Sequence, residues 1–254
     1  MRLVRYRLDG NIDYGAIVEQ EVRRLESGPW GRLRPGPAVA ALAEVTLLAP
    51  CQPTKVVAVG RNYAAHAAEH GSEVPSEPLI FLKPPSAVIG PGDPIVYPGS
   101  LSQQVEHEVE LVVVVGRQAR NVPREKAHSV VLGYTCGNDV TARDLQSSDG
   151  QWARAKGFDT FCPLGPWIET EIDTSDLAIR CLVNGQVRQD GRTKDMVFPV
   201  DVLIAHVSAF MTLEPGDVIL TGTPEGVSPL LPGDQVTVEI EGIGALENRV
   251  EGIK

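Results

Sequence analysis

The segment Glu106-His107-Glu108-Val109-Glu110 runs directly into Leu111-Val112-Val113-Val114-Val115. On a strand alternate side chains share a face, so Glu108 and Glu110 project together while His107 points to the other side. Two carboxylates opening a strongly apolar strand repel each other and resist losing water. A hard divalent cation removes both penalties and takes oxygen ligands. Asp139 follows another short apolar run, Val130 to Tyr134, within Asn138-Asp139-Val140-Thr141-Ala142-Arg143-Asp144, and supplies a third acid. Three carboxylates and water suit octahedral Mg²⁺ or Mn²⁺. Taken alone, a Glu-x-Glu pair is more often an exposed strand end with solvated acids. His107 reads as structural or supporting, because hard cations favour oxygen.

These acids need strands to hold them, and β-signals dominate from Lys55 onward. Val56–Val59, Leu79–Leu82, Val109–Val115, Val218–Thr221 and Val236–Ile240 read as strands bounded by Gly or Pro. Pro-Gly-Asp recurs at Pro91, Pro215 and Pro232, each time just before a strand-like run, as turn chemistry rather than a repeat. Helices are fewer. Asn62 to His70 predicts one, with Asn62 as cap and an Ala-rich body. Pro199 to Met211 predicts a better one, with Asp201 in its first turn and Val200, Leu203, Ile204, Val207, Phe210 and Met211 on one stripe. Residues 1–52 differ in texture, with short apolar pieces and Gly-Pro-rich stretches, and read as a small strand-rich N-terminal appendage; residues 53–254 form the main domain. The fold class is a mixed, β-dominated α+β.

The chain has 254 residues, 43% hydrophobic and 22% charged, an ordinary globular composition. A net charge of −10 repels phosphate backbones, so neither nucleic acid nor an anionic membrane is an expected partner. The longest apolar run falls far short of a bilayer span, and Met1 to Arg7 has no apolar stretch behind it, so no secretory signal is expected. Cys51, Cys136, Cys162 and Cys181 form no C-x-x-C pair and fit reduced core thiols in the cytoplasm.

Seven ordered segments resemble the fumarylacetoacetate hydrolase family: Val59-Gly60-Arg61-Asn62-Tyr63-Ala64-Ala65-His66, Phe81-Leu82-Lys83-Pro84, His107 to Leu111, Gly133-Tyr134 through Asn138-Asp139, Thr141 to Gln146, Lys156 to Pro166, and Leu220 to Val227. They span roughly residues 55 to 250, far more specific together than any one alone. The resemblance implies a β-sandwich roll, Mg²⁺ or Mn²⁺ held by Glu108, Glu110 and Asp139, a homodimer, and a small 2-oxo acid as substrate.

The same resemblance implies roles for further residues. His66 and Glu69, three apart on one helix face, match a pair on a lid over the metal, here Asn62 to Ser76, with Glu69 orienting His66 as a general base. Without the resemblance, the same spacing is also that of a solvated helix face. Lys156 is implied as a contact to substrate carboxylate or developing enolate, against the alternative of an exposed lysine. Arg143 and Gln146 are implied as substrate hydrogen bonders, against a surface ion pair of Arg143 with Asp144. Thr223 offers a hydroxyl and N–H in what is otherwise a plain Gly-rich turn, and Arg61 and Lys83 are further pocket positions. His70 reads as surface.

The expected chemistry is metal-assisted formation of an enolate, with Lys156 adding charge and His66 moving a proton. The compact chain, without a large N-terminal domain or tandem copy, points to isomerisation or decarboxylation of a hydroxymuconate-type intermediate such as 2-hydroxyhepta-2,4-diene-1,7-dioate in aromatic catabolism. Acylpyruvate hydrolysis and oxaloacetate decarboxylation are the alternatives. A non-catalytic, metal-assisted oxo-acid binder is the alternative of another class, disfavoured because a binder needs no base.

Overall fold

The computed structural model describes residues 1–252. Two main sheets carry the fold. The larger is twelve-stranded and mixed. Its centre runs Cys162–Glu169, Val131–Asn138, Val109–Val115, Val218–Leu220, Val56–Gly60 and Leu79–Lys83 in spatial order. Val218–Leu220 pairs parallel with Val56–Gly60, while its other neighbour, Val109–Val115, lies antiparallel. The second sheet is five-stranded: Gln186–Arg192, Ala178–Val183, Gln235–Ile240, Gly244–Gly252 and Ile95–Tyr97.

The strand Val109–Val115 is buried along its whole length. Val109, Leu111, Val113 and Val115 join the core shared with Ile179, Val236, Val238 and Leu246 of the second sheet. Val112 and Val114 pack on the opposite face with Val56, Ala58, Leu164 and Leu220. Burial on both faces explains the unbroken apolar run, and the pleat assigns Glu110 to the face of Val112.

The helix expected from Pro199 to Met211 forms as Val200–Phe210, capped at Pro199, with Leu203, Ile204 and Val207 in the core. The other expected helix is shorter, Ala64–Glu69, and its cap position is Tyr63 rather than Asn62. The Asn62 side chain is committed elsewhere. It donates to Phe198 O at 3.0 Å and Thr221 O at 2.7 Å and accepts from the Phe198 amide at 2.8 Å. It ties the helix entry to two distant segments rather than capping the helix.

Strands Arg2–Leu8, Asn11–Val18, Glu21–Leu25, Pro35–Ala41 and Thr46–Leu48 occupy the N-terminal region. They extend the large sheet through one ladder, Arg2 to Glu169 and Leu3 to Ile168. All four cysteines are free and buried. Among the described residues no helix is long and apolar enough to cross a membrane.

Candidate active site

The antiparallel ladder between Val109–Val115 and Val131–Asn138 sets Val109 opposite Asn138 and Glu110 opposite Gly137. Asp139 leaves the end of that ladder, its amide donating to Glu108 O at 2.9 Å. The Asn138 side chain accepts from the Glu108 amide at 2.9 Å, which fixes the approach of the two acidic segments. Glu108, Glu110 and Asp139 therefore converge, with carboxylate oxygens within 4.8 Å of one another. They are 4%, 1% and 0% exposed, so the solvated strand end is excluded.

Three cations are spent on these acids. Lys156 Nζ donates to Glu108 at 2.8 Å and to Asp139 at 2.6 Å. Lys83 Nζ donates to the other Asp139 oxygen at 2.6 Å and to Val140 O at 3.2 Å. Arg143 bridges Glu106 at 2.8 Å and Glu108 at 2.7 Å, and its third arm meets Gln146 at 2.6 Å. Glu110 receives only the Gly222 amide, at 2.6 Å, and forms no ion pair among the described residues.

The charges follow from this geometry. Burial would raise the Glu108 carboxyl, but Lys156, Arg143 and His66 outweigh it and hold the group below the ordinary carboxylate range. Glu110 goes the other way: burial first, then the charges of Asp139 and Glu108, push it well above that range. Burial alone would discharge Lys156, yet Asp139 and Glu108 keep it a firm ammonium. Glu110 is thus the acid without a counter-charge. An all-oxygen set of three buried carboxylates with one uncompensated acid fits a hard divalent cation.

His66 is 7% exposed, and its Nδ1 lies 3.4 Å from Glu69 Oε2. Burial pushes the imidazole below its ordinary range despite the pull of Glu108, leaving a neutral ring near pH 7. Glu69 also accepts the Gly226 amide at 3.1 and 3.3 Å, joining the helix to the Thr223–Gly226 turn. His107, in the break between Val105–Glu106 and Val109–Val115, lies against Gln189 at 2.9 Å and Ser228 at 2.8 Å.

A cavity of about 240 Å³ opens over this cluster. Arg61, His66, Glu108, Glu110, Arg143, Gln146, Lys156 and Thr223 all line it, with Phe81 and Trp152 as apolar walls. Trp152 stacks edge-on against Phe81 at 5.2 Å and lies so close to Gly60 that a Cβ there would sit 2.6 Å from its ring. Lys156 Nζ lies 5.0 Å from the Phe81 ring centre. Arg61 adopts a left-handed backbone, φ 57°, at the cavity edge.

Three expectations need correction. Lys83, expected in the substrate pocket, lies outside the cavity lining and is fully engaged behind Asp139. Arg143 spends its fork on Glu106 and Glu108, so it does not present a free bidentate face, and its partner is not Asp144. The Thr223 hydroxyl donates to Val109 O at 2.8 Å and accepts from Gln189 at 2.7 Å, so its proton is not available to a ligand. His70 is exposed, as expected, and its ring packs on His66, with 4.7 Å between centroids, and lines the cavity. Glu106, Asn138 and Gly222 were not singled out as site residues. Glu106 was visible as the first acid of its cluster, whereas nothing local marks the other two.

Residues 55–251 match the family described as fumarylacetoacetate (FAA) hydrolase C-terminal, and residues 1–50 match the Rv2993c-like N-terminal region. Protein Rv2993c of Mycobacterium tuberculosis is 50% identical over 246 residues, covering 96% of this chain and 92% of that protein. The human mitochondrial oxaloacetate tautomerase FAHD2A is 48% identical over 221 residues, 82% of this chain and 70% of its own. The crystal structure of 5-carboxymethyl-2-hydroxymuconate delta-isomerase from Mycobacterium smegmatis superposes with a TM-score of 0.92 at 48% identity, covering all of both chains. With a converged acid triad, a buried histidine over it and a family match across most of its length, the chain belongs to the fumarylacetoacetate hydrolase family.

Proposed function

We propose that the chain is a divalent-metal-dependent isomerase of a small 2-oxo or 2-hydroxy-dienoic acid, with a hydroxymuconate-type diacid as substrate. The observation that carries this reading is the shared cavity: the neutral, Glu69-flanked imidazole of His66 lines the same 240 Å³ space as Glu108, Glu110 and Lys156. The likeness to the Mycobacterium smegmatis isomerase supports the choice of substrate class.

Glu108, Glu110 and Asp139 would hold Mg²⁺ or Mn²⁺, which when bound supplies Lewis-acid polarisation of a carbonyl oxygen. Lys156 places a second positive charge on the same wall, where negative charge develops on that oxygen. His66 takes a proton from the carbon beside the carbonyl and returns it further along the conjugated chain. Glu69 is a positioning residue, holding the ring through its contact with Nδ1 and the turn through Gly226. Arg61 and Gln146 bind the remote carboxylate, and Phe81 and Trp152 keep water from the reacting carbons.

A second reading, keto–enol exchange of oxaloacetate, is favoured by the identity with the human tautomerase and uses the same proton movement. The discriminating experiment offers 5-carboxymethyl-2-hydroxymuconate, oxaloacetate and an acylpyruvate to the Mg²⁺-loaded protein and follows the products by NMR. Double-bond migration in the first, at a rate well above that of the other two, supports the isomerase. Cleavage of the acylpyruvate as the fastest reaction overturns it.

A further inference from the structure

We propose that His66, Glu69 and His70 form a second metal site, one for Zn²⁺ or a similar nitrogen-seeking transition metal, set over the carboxylate triad. Their spacing, His66-Ala67-Ala68-Glu69-His70, brings positions i, i+3 and i+4 onto one face of the helix Ala64–Glu69 and its cap residue. One ligand atom from each lies within 4.8 Å of the others. The 3.4 Å between His66 Nδ1 and Glu69 Oε2 is close to the separation of roughly 3.3 Å for two ligands about 2.0–2.1 Å from a tetrahedral ion.

His66 Nδ1 is buried and without a hydrogen-bond partner among the described residues. An unsatisfied buried nitrogen is costly, and an ion held between it and Glu69 would satisfy it. Glu69 and His70 are exposed, which gives an ion a path from solvent. The Gly226 amide on Glu69 holds that carboxylate in place, as outer partners of metal ligands do.

The two sites sort ions by chemistry. Two imidazoles and one carboxylate leave a fourth position for water and suit Zn²⁺. Glu108, Glu110 and Asp139 offer oxygen only and suit Mg²⁺ or Mn²⁺. An ion at the histidines ties up the His66 imidazole, so Zn²⁺ would silence the enzyme that Mg²⁺ supports. This consequence rests on the proposed role of His66 as base; the site itself does not.

The test uses the metal-stripped full chain, Zn²⁺ in equilibrium dialysis and Co²⁺ as a spectroscopic probe. Native protein is expected to bind two Zn²⁺ per chain, and His70→Ala and Glu110→Gln one each, because Zn²⁺ also enters carboxylate sites. With Co²⁺, the intense visible bands of a low-coordinate nitrogen-containing site should persist in Glu110→Gln and vanish in His70→Ala. His70 is exposed, and circular dichroism establishes that the variant folds. Equal Zn²⁺ stoichiometry and equal Co²⁺ spectra in native and His70→Ala proteins overturn the site. Binding at the histidines without loss of turnover keeps the site and overturns the base assignment instead. Metal-dependent turnover with no Zn²⁺ at the histidines overturns the site alone.

Discussion

The amide of Gly222 donates to Glu110 Oε2 at 2.6 Å, and among the described residues it is the one hydrogen bond of a carboxyl group that has no ion-pair partner. Gly222 holds φ +99°, and a Cβ there would lie 2.6 Å from Asn62 Cβ. Gly222→Ala is therefore expected to cost about 1–3 kcal/mol through backbone strain and displacement of Asn62. Chemical denaturation measures it. Stability within 0.5 kcal/mol of native would show that the turn adapts freely.

Glu110 makes the metal-free protein pay for an uncompensated buried carboxyl. Glu110→Gln should melt at or above the native temperature in EDTA. Mg²⁺ should stabilise native protein, by about 2.7 kcal/mol at a hundredfold excess over Kd, and leave the variant unmoved. Equal stabilisation of both by Mg²⁺ would place the ion elsewhere.

Lys156 balances Glu108 and Asp139 from within the same buried cluster. Lys156→Met removes that charge and leaves the acids to repel each other, which is expected to cost about 3–5 kcal/mol in EDTA. Adding Mg²⁺ should recover more stability in the variant than it adds to native protein. Differential scanning calorimetry with and without the ion reads both effects, and a variant as stable as native in EDTA would contradict them.

Far from the site, Asp217 is completely buried. It accepts from the amides of Thr54, Lys55 and Glu214 and from the Thr54 hydroxyl, and pairs with Lys55 Nζ. Burial would raise its carboxyl, but Lys55, Glu214 and Thr54 hold it below the ordinary 3.8. A depressed folded-state value means stability present above 3.8 and lost as pH falls through the lower folded value. Asp217→Asn should cost about 1–3 kcal/mol at pH 7, with the deficit shrinking below pH 3.8. Paired urea melts at several pH values check it, and a deficit unchanged by pH would refute it.

Alternation from Glu106 to Glu110 made Glu108, Glu110 and the opposed His107 legible, although only Glu110 lies on the buried strand Val109–Val115 and His107 and Glu108 sit in the break before it. The helix Val200–Phe210 was legible for a similar reason, its apolar stripe being long enough to declare its period. The partners of Lys83, Arg143 and the Thr223 hydroxyl were not. Each is set by long-range packing, and Lys83 reaches Asp139 at 2.6 Å although three strands separate Leu79–Lys83 from Val131–Asn138 in the sheet order. Asn62 was misplaced as a helix cap because capping is the local use of an asparagine. Its actual contacts, Phe198 and Thr221, are more than a hundred residues away.

The most direct test of the account is turnover of 5-carboxymethyl-2-hydroxymuconate by native protein and His66→Ala, each in Mg²⁺ and in EDTA, with deuterium uptake from D₂O followed by NMR. Turnover and deuterium uptake are expected only with Mg²⁺, and His66→Ala should lose about 10²–10⁴-fold in rate while still binding substrate. Undiminished turnover in EDTA, or a His66→Ala protein as fast as native, would contradict the account.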